Sequence, residues 1–342
     1  MSRVERTNLS DCCFGARSVN GFGIVELMIA MALGAVILLA VSELFLSNSR
    51  SRAEIEKNSR QVENGRFVLQ MLAEEVGNAG FAGESASDGL IPASLPETCV
   101  QEDAGNFEKI QGALITPVLG GADDPGCLAS ASVTYKKGSE YIALRRGSSA
   151  PCEPGVCEKR QESYFMQVSS CGTSDPGSLR IAARADVEES LKALARSCDA
   201  SNHALIHPFL SRLYFINNAS VLYRAELVNT SNGPAYQRSP MIEGIEQIAF
   251  EYGVDDDEDG VPDAFLSTST VSESQWANII AVRIWVLARN LEPSPGYKDE
   301  NEYRLGDGGS APVFQAETDF DSHKRQIYST TARVNNAAGR RL

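Results

Sequence analysis

Asp255-Asp256-Asp257-Glu258-Asp259, followed by Gly260, Val261, Pro262 and Asp263, is the densest run of potential ligand atoms in the chain. Neighbouring carboxylates repel one another in water, but a hard divalent cation with many oxygen ligands gathers them. Asp255, Asp257 and Asp259 alternate, Gly260 permits a sharp turn that returns Asp263 to the same centre, and the Val261 carbonyl offers one more oxygen. Calcium is the expected ion, because magnesium asks for a tighter octahedron. The register is that of the first half of an EF-type loop, yet the twelfth position is Leu266 where a bidentate Glu is needed, so the segment is not an EF-hand. The competing reading is a solvated acidic turn.

Cysteine is the second chemistry. Cys12 and Cys13 stand apart from Cys99, Cys127, Cys152, Cys157, Cys171 and Cys198. An even set of six in an exported segment implies up to three disulfides, with Cys152 and Cys157 closing a small loop and the remaining connectivity open. Zinc is disfavoured because no pair of CxxC elements occurs. No GxSxG elbow, phosphate loop, HExxH or dinucleotide fingerprint is present, and His203 and His207 have no evident third ligand. A non-enzymatic protein is therefore expected, without an organic cofactor. The net charge of −14, with no Lys/Arg run longer than two, argues against nucleic acid as a partner.

Glu26 is the third unusual residue, an acid just inside an apolar run. Leu27 to Val41 has no charge, and residues 22–46 carry only Glu26 and Glu43. At about 1.5 Å per residue such a helix spans the roughly 30 Å hydrocarbon layer. A cleaved secretory signal is the alternative, but a polar segment precedes the run and the helical pattern continues beyond Ser42. An intramembrane acid must be neutralised, placed near the interface or paired. Ile55, Val62, Leu69 and Val76 then recur every seven residues, with Leu72 between them, so a helix over 22–76 is expected to bury that stripe. Gly77, Gly80 and Gly83 end it.

Gly21-Phe22-Gly23-Ile24-Val25-Glu26-Leu27 resembles the cleavage and methylation region of type IV prepilins. That resemblance implies a leader over 1–21, removed after Gly21 by a prepilin peptidase that methylates the new amine of Phe22. It places Glu26 fifth in the mature chain, where its carboxylate would meet an N-terminal amine of a neighbouring subunit during docking. A buried acid gains from such a cation on physical grounds as well.

Downstream, short pieces at 133–135, 141–144 and 164–168 read as strands and 186–196 as a helix, within a cysteine-rich variable αβ subdomain over 77–204. Residues 205–342 form a β-rich head, with strands expected over 212–216, 220–227, 245–252, 279–288 and 326–334 and a turn at Asn217-Asn218. The main sheet is expected in this second half. Leu222-Tyr223-Arg224, Ile242-Glu243-Gly244-Ile245-Glu246, Phe250 to Asp255, Val282-Arg283-Ile284-Trp285 and Tyr328-Ser329-Thr330-Thr331 resemble the PilW-type minor pilin family. The fold class so implied is α+β and type IV pilin-like: a long N-terminal helix, transmembrane in its first half, with an antiparallel head and a disulfide-bearing insertion. The resemblance implies a minor pilin that joins other minor pilins in priming pilus assembly and stays near the tip. Its partners would be other minor pilins and the major pilin through the N-terminal helix, the assembly platform, and membrane lipid beforehand. Its location would be the inner membrane, single-pass, with a periplasmic head and later the pilus tip or cell surface. A type II secretion pseudopilin, a tip adhesin or sensor, and a signal-anchored periplasmic enzyme are the alternatives.

Overall fold

The computed structural model describes residues 21, 23–83, 95–100, 107–173, 177–307, 311–315 and 321–338. The chain divides into two units, residues 1–55 and 56–342. Helix α1 (Ile24–Asn78) starts in the first and ends in the second, unbroken for 55 residues because no proline or helix-breaking pair interrupts it. In the first unit its large apolar side chains, from Ile24 to Leu46, are all exposed. Such a surface has no place in water, and the helix is long and apolar enough to cross a membrane.

In the second unit α1 turns a different face to the core from the one its heptads suggest. The buried positions are Gln61, Gly65, Val68, Leu72 and Val76; Val62 and Leu69 are half-buried and Ile55 is exposed. The reason lies in the surface beneath. The Gln61 amide donates to the carbonyls of Ala288 (2.7 Å) and Lys324 (3.2 Å), which satisfies a side chain that would otherwise be buried without partners. Gly65 makes room for Tyr328, whose ring would stand 2.5 Å from a Cβ at that position. The helix ends at Gly80, φ +75°, and its last carbonyls receive the amides of Asn335 and Asn336 from the far end of the chain.

Among the described residues the remaining elements are α2 (Glu108–Ile115), the single turns α3 (Val187–Ser190) and α4 (Asn335–Ala338), three short 3-10 helices and thirteen strands. Strands β1 (Val118–Gly121), β2 (Tyr141–Gly147), β3 (Tyr164–Val168), β4 (Leu179–Ala183), β5 (Ile206–Ile216), β6 (Val221–Thr230) and β7 (Gly233–Glu243) make one antiparallel sheet. A second contains β8 (Ile245–Val254), β9 (Ala264–Ser267), β10 (Ile279–Arg289) and β13 (Arg325–Arg333), in the order β13-β10-β8-β9. β11 (Glu302–Arg304) and β12 (Val313–Gln315) pair separately. The long strands after residue 205 lie within two residues of expectation, except that β5 starts six residues earlier, β6 ends three residues later and β7 has no expected counterpart.

Three expectations are corrected. The larger sheet is not confined to the second half: β5 pairs with β2 and β3 as well as β6, so the segments 77–204 and 205–342 share one sheet. Pairing with β5 outweighs the composition change, because a lone short strand cannot satisfy its own backbone. The helix over 186–196 is only the turn α3. Gln167 captures the Ala193 N–H and donates to the Ala204 carbonyl, both at 2.7 Å, and draws the chain out into extended conformation. Residues 133–135 contribute one bridge, Tyr135 to Asn217.

The main core lies against α1 and both sheets, with Val68, Leu72, Leu213, Phe215, Ile248, Phe250, Val282 and Ile284 at its centre. Two polar fasteners cross it. Arg145, fully buried and with no carboxylate partner among the described residues, donates to the carbonyls of Thr116, Glu97 and Thr98; burial lowers its pKa to about 10. Arg325, also buried, is ringed by Glu246 (2.5 Å), Asp299 (2.7 Å) and Asp321.

Candidate functional site

The N-terminal segment and the acidic loop are distinct places. Gly21 is exposed, and Phe22 and residues 1–20 lie outside the described residues. Glu26 occupies the first turn of α1 and is exposed, with the first backbone bond of that turn running from Leu27 N–H to the Gly23 carbonyl. A carboxylate is favoured there by the free N–H groups and dipole of the helix end. That position keeps Glu26 unburied by its own chain and open to a cation brought by another.

The acidic loop is built on the ends of β8 and β9. Asp263 N–H donates to the Val254 carbonyl (2.8 Å), and Asp255 N–H to the Asn278 carbonyl (3.1 Å), which fixes both ends of the turn. Gly260 adopts φ +82° and Glu258 φ +62°, left-handed geometry that lets the chain double back. Carboxylate oxygens of Asp255, Asp257 and Asp263 come within 4.8 Å of one another. Asp255 is buried and the other two are exposed. Asp259 departs from expectation: it stands outside this trio, because its carboxylate accepts the Val261 N–H at 2.8 Å in a local turn. Asp255 likewise accepts the N–H groups of Asp259 and Gly260, both at 3.1 Å. Asp256 points the other way and receives the side chains of Gln275 and Asn278.

The electrostatics match a group of acids held close. The Asp259 N–H lowers the Asp257 pKa, but desolvation and the charges of Asp259, Asp263 and Asp255 outweigh it and leave that carboxyl above its ordinary value. A divalent cation would relieve this repulsion. The donor set, three convergent carboxylates on a pre-turned loop, fits a hard ion that fills its other positions with water.

The six cysteines from Cys99 onward pair as Cys99–Cys127, Cys152–Cys157 and Cys171–Cys198. Arg238 reinforces the first by donating to the carbonyls of Cys127, Leu128 and Ala129, while Asp124 accepts the N–H groups of Gly126, Leu128 and Ala129. The second closes over a small core of Phe165, Ala182, Val187, Leu191 and Ile206. Arg283 pairs with Asp307 (3.0 Å) and Glu251 (3.5 Å). His207 bonds the Ser148 carbonyl through Nδ1 (2.8 Å), and His203 is placed by a bridge to Leu194. Arg325, Arg145 and Gln61 have no mark in the sequence, since most of the partners that define them lie far away in the chain.

The family model for PilW, type IV pilus-assembly protein W, matches residues 213–336, and that for the prokaryotic N-terminal methylation motif matches 16–42. No curated protein matches. Among solved structures, the type IV-like pilin TTHA1219 from Thermus thermophilus is similar at 12% identity and a TM-score of 0.27, over 60% of this chain and 83% of that one. So loose a likeness carries no weight, and the architecture rests on the chain's own sheets. The methylation motif and the apolar start of α1 indicate membrane anchoring and processing by a prepilin peptidase. A prepilin-type N-terminus and a PilW-type segment over 213–336 thus lie on one polypeptide, and in both the chain is similar to the PilW-type minor pilins of type IV pili.

Proposed function

We propose that the protein is a structural subunit that helps prime type IV pilus assembly with other minor pilins and stays at or near the tip. It would be held in the inner membrane by the first part of α1, with its head in the periplasm, until helix contacts in the pilus replace lipid. The observation that carries this reading is the conjunction of the methylation motif over 16–42 with an exposed apolar helix that keeps Glu26 in its first turn. An unpaired acid in hydrocarbon costs about 2.5–3.5 kcal/mol on insertion scales, which pairing with a neighbour's amine would recover. Deletion of the gene is expected to reduce surface pili, and a Glu26→Ala copy is expected to reach normal membrane levels without restoring them. Normal piliation in the deletion strain would overturn the priming role.

Calcium is proposed as the ion of the acidic loop, on Asp255, Asp257 and Asp263, where it would stabilise the β8–β9 turn by binding the folded form alone. Isothermal titration is expected to show one calcium equivalent that disappears in Asp257→Ala. Equal titrations for wild type and variant would remove the ion from the account.

A further inference from the structure

A sheet edge that pairs with nothing is an invitation to another strand, and folded proteins usually blunt such edges. This head blunts most of its own. β1, β4, β9, β11 and β12 are three to five residues long. β7 is long, but Pro234 and Pro240 remove two donors and Arg238 ties it to the 127–129 strap. β13 is the exception.

β13 runs nine residues in unbroken antiparallel register with β10, from Arg333 opposite Ala281 to Arg325 opposite Arg289. The flanking bonds from Val334 N–H to the Ile280 carbonyl and from Asn290 N–H to the Lys324 carbonyl fix its phase. Even-numbered residues bond β10, so the N–H and C=O groups of Ile327, Ser329 and Thr331 point outward. Among the described residues no hydrogen bond reaches those groups. The stretch between them has no proline and no charge, and Ser329 and Thr331 are exposed.

We infer that the outer edge of β13 receives an extended strand from a different subunit of the assembly, by β-augmentation; this rests on the minor-pilin reading above. A second copy is disfavoured by charge. Matched end to end about Ser329, a second copy would set exposed Arg333 against buried Arg325, whose three carboxylates are already committed to its own guanidinium, and would offer Arg333 no free acid. The fitting occupant carries β-branched or small polar residues at its centre and a carboxylate opposite Arg333. Main-chain bonds would supply most of its affinity and that ion pair its register.

The test uses the full-length protein in its own membrane, with photoreactive benzoylphenylalanine in place of Thr331 and peptide mapping of the adducts. An adduct on an extended segment of another prepilin-like subunit is expected. Ser329→Pro should reduce its yield at least about tenfold at unchanged membrane level, because that N–H is not used by β10 and the ring blocks only the outer edge. Ser329→Lys serves if the proline variant fails to accumulate. Arg333→Glu should reduce the yield roughly 2- to 5-fold. Adducts confined to this chain or to a second copy, or full yield in Ser329→Pro and Ser329→Lys, would overturn the inference. If pili fail in Glu26→Ala while the edge variants assemble normally, the minor-pilin reading stands and the edge assignment falls; normal piliation in the deletion strain would remove both.

Discussion

The seven-stranded sheet and the four-stranded sheet of the head are fastened by different bonds. Three disulfides secure the segments around the first, where short strands alternate with turns. No disulfide touches the second among the described residues. Its long strands share an apolar face and are locked at one corner by Arg325 with Glu246, Asp299 and Asp321. Crosslinks act chiefly by restricting the unfolded chain, whereas the charge knot depends on complete pairing in the folded one. The first region should therefore answer to reductant and the second to loss of a single side chain or to pH.

The largest expected effect breaks the knot. Arg325→Met leaves three carboxylates around an apolar side chain and is expected to lower unfolding free energy by about 3–5 kcal/mol, read by denaturant titration of the full-length protein in detergent. A loss no greater than that of a crosslink would mean the two fastenings are equivalent. Next come the staples: removal of Cys171–Cys198, 27 residues apart, should cost about 3–4 kcal/mol, and removal of Cys152–Cys157, 5 apart, about 2 kcal/mol on the chain-entropy account. Equal losses for the two would show that native packing, not loop length, sets their value.

Acidity sharpens the contrast further, because two carboxyls, buried Glu140 and half-buried Asp321, shift in opposite directions. Burial pushes Glu140 up to about 7, the nearby Glu251 charge adds to this, and the Phe250 N–H that it accepts at 2.7 Å only partly opposes it. Its contribution is complete below the ordinary value of 4.5 and is lost as pH rises through about 7. Glu140→Gln should accordingly stabilise the head at pH 8 by up to about 3 kcal/mol and do nothing below pH 4.5. Asp321 behaves inversely. Burial alone would raise it, but Arg325 and the N–H groups of His323 hold it at about 2, so its contribution is present above 3.8 and fades as pH falls toward 2. Unfolding midpoints scanned from pH 2 to 8 should show both limbs, the acid one vanishing in Arg325→Met.

The smallest effect tests how α1 sits on the four-stranded sheet. Gly65→Ala puts a methyl group into the Tyr328 ring and is expected to cost about 1–3 kcal/mol, relieved by Tyr328→Ser in the same chain. If Gly65→Ala were neutral, the ring would have room to move and the glycine would be there for another reason.

Period and local chemistry carried much of this protein in the sequence. The apolar run and its heptads marked α1 to within two residues of each end, and alternation with turn residues marked β3, β6, β8, β10 and β13. The acidic loop was legible because Gly260 and the spacing of Asp255, Asp257 and Asp263 act within nine residues. Asp259 was misplaced because a carboxylate can cap its own turn as readily as face a centre, and spacing does not distinguish the two.

What the sequence determined by itself, then, is what depends on neighbours in the chain: the membrane-length helix with its acid in the first turn, the strand segments and the turn that gathers acids. Tertiary structure alone decided which face of α1 is buried, that β5 draws the cysteine-bearing strands into one sheet, and that Arg325 meets acids 79 and 26 residues away. The physical reason is range. Helix period and turn geometry are set by bonds between close residues, whereas burial, sheet order and charge pairing are set by whichever surfaces the folded chain brings opposite one another.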